Sequence, residues 1–418
     1  MTAFSPEAPA VSSAAPFPGP WLSIVGIGED GRAGLSPAAA AALDGAGLVI
    51  GGRRHLDLAA PLAAATLAWP SPLSDAYPAI LARRGQPTCV LATGDPFHYG
   101  VGAELARLVP AGEILAYPQA SAFSLAAARL GWPLAEVACL TLHGRALERV
   151  IPHLQPGARL LALSWDGSTP GKLAALLTGR GFPRSRLTVL EAMGGPRERR
   201  RTGLAAEFSE HGIDPLNTIA VEVAAEADAR VIPLTPGLDD AWFENDGQLT
   251  KAEIRAVTLA ALRPRAGQRL WDVGAGSGSV GIEWSLRHPA NRAVAIEARE
   301  ERAARIRRNA AHLGVPDLQV VVGRAPESLA GLPAPDAAFI GGGVFDPALV
   351  AAVLGALPSG GRLVANAVTL ESEALLLRLR AERGGTLRRL SVARAEPVGP
   401  LTGWRTAMPV TQWALTKP

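Results

Sequence analysis

Apolar positions along the chain fall into two series of short strand-like runs, each interleaved with Ala-rich helical stretches and glycine turns. The first series comprises WLSIVGIG from Trp21, LVIGG (48–52), TCVLATG (88–94), ILAYP (114–118), VACLTLHG (137–144) and RLLALSWDG (159–167). Short, nearly continuous apolar runs bounded by Gly, Pro and Asp predict strands covered on both faces. The stretches 100–109 and 121–130 carry helical spacing, and a further helix is expected from Pro96.

The second series is RLWDVG (269–274), RAVAIE (292–297), LQVVVG (318–323), DAAFIGG (336–342) and GRLVANA (361–367). A helical pattern follows each run. The clearest is 298–314, with Gly314 as its expected C-terminal stop. TLRRLSVARA (386–395) and AMPVTQWALT (407–416) predict two closing strands. Strand and helix alternate here as in a doubly wound parallel sheet. Between the series, EADARVIPLTPGLDD (226–240) places Pro233, Pro236 and Gly237 among charges and reads as a linker. The predicted organisation is an α/β chain: a flexible Pro/Ala/Ser-rich tail (1–20), a first domain (21–225), a linker (226–237) and a second domain (238–418).

Composition narrows the class without naming it. With 418 residues, 48% hydrophobic and 19% charged, the chain can bury two cores, and disorder is disfavoured. No apolar run is long enough to span a bilayer, and the opening segment lacks the basic and apolar regions of a secretory leader. Cys89 and Cys139 are the two cysteines, which argues against a disulfide framework and for a reducing cytoplasm. Neither CxxC nor a His pair at ligand spacing occurs, so no metal site is expected. The net charge of +3 is too small to demand nucleic acid.

The strongest local signal is LWDVGAGSGSVGIE (270–283), where a strand carrying Asp272 turns through Gly274, Gly276 and Gly278 into a helix. Such glycines let backbone approach a ligand, and the helix start offers free N–H groups. The dinucleotide fingerprint would need glycine at Ser279, so the spacing is GxGxG. Glu297 ends the next strand, where an acid can hold ribose hydroxyls. Asp272–Gly278 with Glu297 resembles the first two motifs of class I methyltransferases.

The wider segments 237–283 and GRAPESLAGLPAPDAAFIGGG (323–343) resemble the cobalt-precorrin methyltransferases of CbiT type. That resemblance implies contacts to S-adenosylmethionine from Thr250, Gly274, Ala275, Gly276, Ser277, Gly278, Glu297 and Ala325. Arg324 stands where those relatives have an acid. The run Gly341–Gly343 is either an edge of the cleft where donor meets acceptor or a tight turn after a strand.

In the first half, IVGIGEDG (24–31), LATGDPFHYGVG (91–102), YPQASAFSLAAARLGWP (117–133), TLHGR (141–145) and LSWDGSTPGKLAALL (163–177) follow one another. Their order and spacing resemble the tetrapyrrole methylases, nearest the CbiE type, whose fold has two α/β subdomains. The resemblance implies a second S-adenosylmethionine site at Gly26, Gly28, Gly94, Asp95, Pro96, Ser121 and Ala122. Asp95 is the candidate catalytic carboxylate, or else a helix cap. The basic run PRERRR (196–201), expected in a loop, is either a solvated face or an attractor of substrate carboxylates.

A CbiE-like half followed by a CbiT-like half resembles the fused, decarboxylating precorrin C(5,15)-methyltransferases of cobalamin biosynthesis. This implies methylation at carbons 5 and 15 of a precorrin and loss of CO2 from the ring C acetate, giving precorrin-8X. It also implies one S-adenosylmethionine per domain, a homo-oligomer, and no nucleic-acid or membrane partner. A cobalt-loaded substrate stays open as an alternative. An RNA methyltransferase is disfavoured, because DAAFI leads into GGGVFD instead of an NPPY-type motif and the second half holds no cysteine nucleophile.

Overall fold

A computed structural model describes residues 19–418, so the predicted tail lies almost wholly outside the described residues. The chain divides into two compact units. The first takes residues up to Arg145 together with Gln155–Arg230, and the second takes Ala146–Leu154 together with Val231–Pro418.

The first unit holds two sheets. One has strands β1 (Leu22–Ile27), β2 (Leu48–Gly51), β3 (Ala65–Ala68), β4 (Thr88–Thr93) and β5 (Ile114–Tyr117), all parallel, in the order β3-β2-β4-β1-β5. Strand β1 shows why its run is apolar throughout. Leu22 and Ile24 enter the core on one face of the sheet, while Val25 and Ile27 enter the core on the other. The second sheet has β6 (Val137–Thr141), β7 (Arg159–Leu163), β8 (Arg186–Glu191), β9 (Arg199–Leu204) and β10 (Asn217–Glu222), in the mixed order β6-β7-β10-β8-β9. This is the two-subdomain α/β arrangement expected.

Two local expectations for this half are corrected. The run at 196–201 is not a loop: Arg199–Arg201 begin the edge strand β9. No helix starts at Pro96 either. Tyr99 sits at φ 60°, and Gly102 N donates to Pro96 O at 2.9 Å, so the chain doubles back before a short helix, Gly102–Leu105.

The second unit is one seven-stranded sheet. Its strands are β11 (Arg269–Val273), β12 (Arg292–Glu297), β13 (Gln319–Val322), β14 (Ala337–Ile340), β15 (Arg362–Ala367) and β16 (Thr386–Leu390), and, after a separate hairpin of β17 (Ala393–Val398) and β18 (Leu401–Thr406), β19 (Val410–Thr416). The order is β13-β12-β11-β14-β15-β19-β16, parallel through β15, with β19 inserted antiparallel to both neighbours. The doubly wound expectation holds, with the topological switch point between β11 and β14. The run 386–395 is two strands, not one, because the chain leaves the sheet after Leu390 to form the hairpin. Among the described residues no helix is long and apolar enough to cross a membrane.

Candidate functional site

Strand β11 delivers the second unit's glycine loop to the switch point. Its residues alternate: Trp271 and Val273 join the main core, while Asp272 points the opposite way and accepts from Gly281 N at 2.8 Å. That bond seats the first turn of the helix Ser279–Leu286 against the strand. Gly281 is small for this reason, since a Cβ there would lie 3.1 Å from the Asp272 carboxylate. Asp272 is buried, its other oxygen has no partner, and burial pushes its carboxyl up to about 7. It shapes the loop and does not face the ligand.

The loop itself is made of left-handed glycines. Gly274, Gly276 and Gly278 have φ of 69°, 59° and 77°. A Cβ on Gly274 would lie 2.8 Å from Gly342 N, so Gly341–Gly343 pack directly on the loop and edge the cleft. A Cβ on Gly278 would strike Ile306, which marks Gly278 as a packing position. Glu297, buried at the end of β12, accepts from Gly276 N at 2.9 Å and from Arg299 N at 3.0 Å.

Around these residues lies a cavity of about 840 Å³. Thr250, Gly274, Ala275, Gly276, Ser277, Glu297 and Ala325 line it, as do Arg324 and Gly341–Gly343. Of the positions expected here, only Gly278 lies off its wall. The lining fits a nucleoside carrying an amino acid. Backbone approaches freely at the glycines, Glu297 is an acceptor for hydroxyl groups, and the buried Ser277 Oγ lacks a partner of its own.

Residues that the motif left out hold one wall of this cavity. Glu283, fully buried on the helix Ser279–Leu286, accepts from Gly237 N (2.7 Å), Leu238 N (3.0 Å) and the guanidinium of Arg255. Arg255, equally buried, also donates to the carbonyls of Leu238 and Thr250 and lies 4.7 Å above the Phe243 ring. Asn309 donates to Ser277 O (2.9 Å) and Glu244 O (3.0 Å) and accepts from Glu244 N (2.9 Å). Together they pin segment 237–250 over the glycine loop. Sequence showed only one hint, charged residues within otherwise apolar helical patterns.

In the first unit, three loops meet at the C-terminal ends of β1 and β4. A Cβ on Gly26 would fall 1.9 Å from Gly94 O and 2.8 Å from Gln119 N. Gly94, at φ 56°, receives Gln119 N on its carbonyl at 3.1 Å and packs on Ala120 and Ser121. Ser121 caps the helix Ala122–Leu130 through its hydroxyl. Gly26, Gly28, Gly94, Asp95, Pro96, Ser121 and Ala122 therefore share one junction. Asp95 accepts from Phe97 N at 2.8 Å, a turn contact and not a helix cap.

Beside this junction is a polar cluster the motifs did not reveal. Glu29, directly after Gly28, pairs with Arg54 and with Arg197 of the second subdomain (3.4 Å). Arg54 also donates to Thr93 Oγ1 (3.1 Å) and contacts His55 Nε2 (3.0 Å). Burial, then the Arg54 charge, lowers His55 to about 4, so the imidazole is neutral at physiological pH. Three of the run's four arginines turn to acids of the same unit. Arg197 reaches Glu29 and Asp214, Arg199 lies 3.8 Å from Glu191, and Arg201 holds Glu191 and Glu210.

A doubly wound sheet whose first strand ends in a three-glycine turn, with an acid closing the second strand over an open cavity, defines a class I methyltransferase using S-adenosylmethionine. The comparisons extend that class to the whole chain. Residues 22–209 match the tetrapyrrole (corrin/porphyrin) methylases, and residues 241–417 match the precorrin methyltransferase domain. A Sinorhizobium protein named precorrin-6Y C(5,15)-methyltransferase [decarboxylating] is 55% identical over 95% of this chain and 97% of its own length. The Mycobacterium tuberculosis protein of the same name is 42% identical over 95% of this chain and 100% of its own. A shorter Pyrobaculum calidifontis protein, "Probable cobalt-precorrin-6B C(15)-methyltransferase (decarboxylating)", is 45% identical over 33% of this chain and 73% of its own. The chain belongs to the precorrin-6Y C(5,15)-methyltransferase (decarboxylating) family.

Proposed function

We propose that each half carries its own donor site, with residues 21–225 methylating carbon 5 and residues 238–418 methylating carbon 15 and removing the ring C carboxylate, joined through the linker 226–237. Methylation of precorrin-6Y with decarboxylation, in cobalamin biosynthesis, is the activity of the family. The observation that carries the division of labour is the pair of unrelated glycine-loop constellations, one at the ends of β1 and β4 and one at the end of β11. The shorter relative supports it, because its name joins carbon 15 methylation and decarboxylation in a protein matching a third of this chain.

S-adenosylmethionine supplies an electrophilic methyl group on a sulfonium. In the second unit Gly274–Ser277 would hold it by backbone contact, with Gly278 packing the loop from behind; Glu297 would take the ribose hydroxyls, Ala325 would meet the adenine through its backbone, and Thr250 would close the other side. In the first unit Gly26, Gly28, Gly94, Asp95, Pro96, Ser121 and Ala122 would do this mainly with backbone groups. The protein's further task is alignment and exclusion of water, because a meso carbon of a reduced tetrapyrrole is already an enamine-like nucleophile. Holding it about 3–3.5 Å from the methyl accounts for much of the rate. In the decarboxylation the bond from the acetate methylene to its carboxylate breaks and CO2 leaves. The electron pair enters the protonated, conjugated macrocycle; a proton added to the methylene carbon then completes the methyl group as the macrocycle gives up the proton it had gained.

The substrate in this reading is the metal-free precorrin of the full-length relatives' names. The shorter relative's name raises the cobalt-loaded alternative, which parallel assays with both substrates separate. A cytoplasmic homo-oligomer acting without nucleic acid or membrane completes the reading.

Product analysis of the full chain tests it. Wild type should yield a macrocycle with two added methyl groups and one carboxylate fewer. Glu297→Ala should still methylate carbon 5 while carbon 15 methylation falls. Equal impairment at both carbons would refute the division of labour.

A further inference from the structure

Donor binding leaves one wall of the second unit's cavity unexplained. The hairpin β17–β18 stands outside the main sheet, and its register sets Arg394 directly opposite Arg405. Paired residues of an antiparallel ladder share a face, and both arginines line the cavity. Like charges directly opposite on one face of a sheet repel each other. An isolated two-stranded hairpin is itself only marginally stable, so this placement is costly unless an anion lies between or beside the two cations.

The acids that now balance them stand half in water, one of them held by both arms of a guanidinium. Arg394 contacts Glu253 at 2.6 and 3.2 Å, and Arg405 contacts Glu396 at 3.2 Å. The side chains of Arg394, Glu253 and Glu396 are each 46% exposed and that of Arg405 is 79% exposed. Ion pairs so open to water are weak and readily exchanged. At the base of the hairpin the same cavity turns apolar, at Leu390, Val392, Met408 and Val410. Two exchangeable cations above an apolar strip suit a flat apolar ring with a carboxylate rim.

We propose that Arg394 and Arg405 are the carboxylate-reading wall of the acceptor end of this cavity. They leave Glu253 and Glu396 to bind acidic side chains of the macrocycle and so set which meso carbon faces the donor. The planar guanidinium fork fits this task, because it meets a carboxylate through two parallel hydrogen bonds. The proposal rests on reading the second unit as the carbon 15 methyltransferase.

The test uses the full chain with precorrin-6Y and saturating S-adenosylmethionine, reading carbon 15 methylation by NMR of the product. Arg394→Ala and Arg405→Ala should each raise KM for the precorrin about tenfold, and the double variant about a hundredfold, as loss of one charge-assisted contact per arginine requires. The Kd for S-adenosylhomocysteine should stay within about twofold, since no donor contact is lost. Wild-type KM should climb as salt is raised from about 50 to 200 mM, and the double variant should respond far less. Glu253→Gln should lower KM by releasing Arg394, a gain that a merely structural ion pair would not give. An unchanged KM in a folded double variant overturns the proposal. So does weakened S-adenosylhomocysteine binding, which would put the arginines on the donor. A changed oligomeric mass with unaltered KM also overturns it, by making the hairpin a contact between copies. If the wild-type chain methylates carbon 5 but never carbon 15, the underlying reading fails as well.

Discussion

The two glycine-loop sites are made of different materials. The N-terminal one is backbone against backbone: Gly26, Gly94 and the 119–121 segment lie so close that a Cβ on Gly26 would penetrate the Gly94 carbonyl. The C-terminal one surrounds an open cavity, sets a buried carboxylate, Glu297, into its wall, and is braced from behind by the buried Arg255–Glu283 pair. A site built from backbone is insensitive to most side-chain changes and intolerant of an added methyl group. A site built from side chains can be weakened in steps. The comparison also explains why the second half shows a sharp motif while the first shows only an ordered series of loops.

Breaking the brace should have the largest effect. Glu283→Ala leaves the buried Arg255 guanidinium with only its longer contact to Asp240 (3.4 Å) and frees two backbone N–H groups at 237 and 238. It should destabilise the second unit by about 3–5 kcal/mol, read by denaturant unfolding of the full chain. The unfolding of the first unit should be unmoved, and a loss shared equally by both units would erase the contrast. Gly26→Ala comes next. It should cost about 1–3 kcal/mol of local overpacking in the first unit and abolish carbon 5 methylation, with carbon 15 methylation preserved. Near-normal carbon 5 activity would show that the junction is looser than its geometry implies.

A pH-dependent effect, silent in acid, separates the roles of the two acids around the C-terminal loop. Asp272 is raised to about 7 in the folded chain by burial, against 3.8 for an ordinary aspartate. The folded state therefore holds its proton longer than the unfolded state, and the stability tied to this group falls as pH rises from about 4 to about 7. Asp272→Asn should remove that slope and gain about 3 kcal/mol relative to wild type at pH 8 compared with pH 4.5. An unchanged slope would mean that the carboxylate is solvated in its buried position.

Much of this was legible in the sequence because the signals were local. Left-handed glycines at 274, 276 and 278 need no partner to be read, and the nearly continuous apolar run of β1 announced a strand covered on both faces. What escaped depended on distant partners. Nothing near Asn309 marks it as the tie between Ser277 and Glu244, 32 and 65 residues away. Arg54 and His55 belong to no motif, and only the fold brings Glu29 and Thr93 beside them. The arginines at 199–201 read as a loop because a charged edge strand lacks the apolar alternation that a buried strand shows. Similarly, β17 and β18 form a hairpin too exposed to carry a hydrophobic pattern, so the run from 386 looked like a single strand.

The central claim, one donor site of each kind in one chain, is tested most directly by calorimetric titration of the full chain with S-adenosylhomocysteine, in wild type and in Glu297→Ala. Two sites per chain are predicted for wild type. In the variant one site should weaken by about 1.5–3 kcal/mol, the worth of a charge-assisted hydrogen bond to ribose, while the other keeps its affinity. A single site in folded wild-type protein, or equal weakening of both sites by Glu297→Ala, would contradict it.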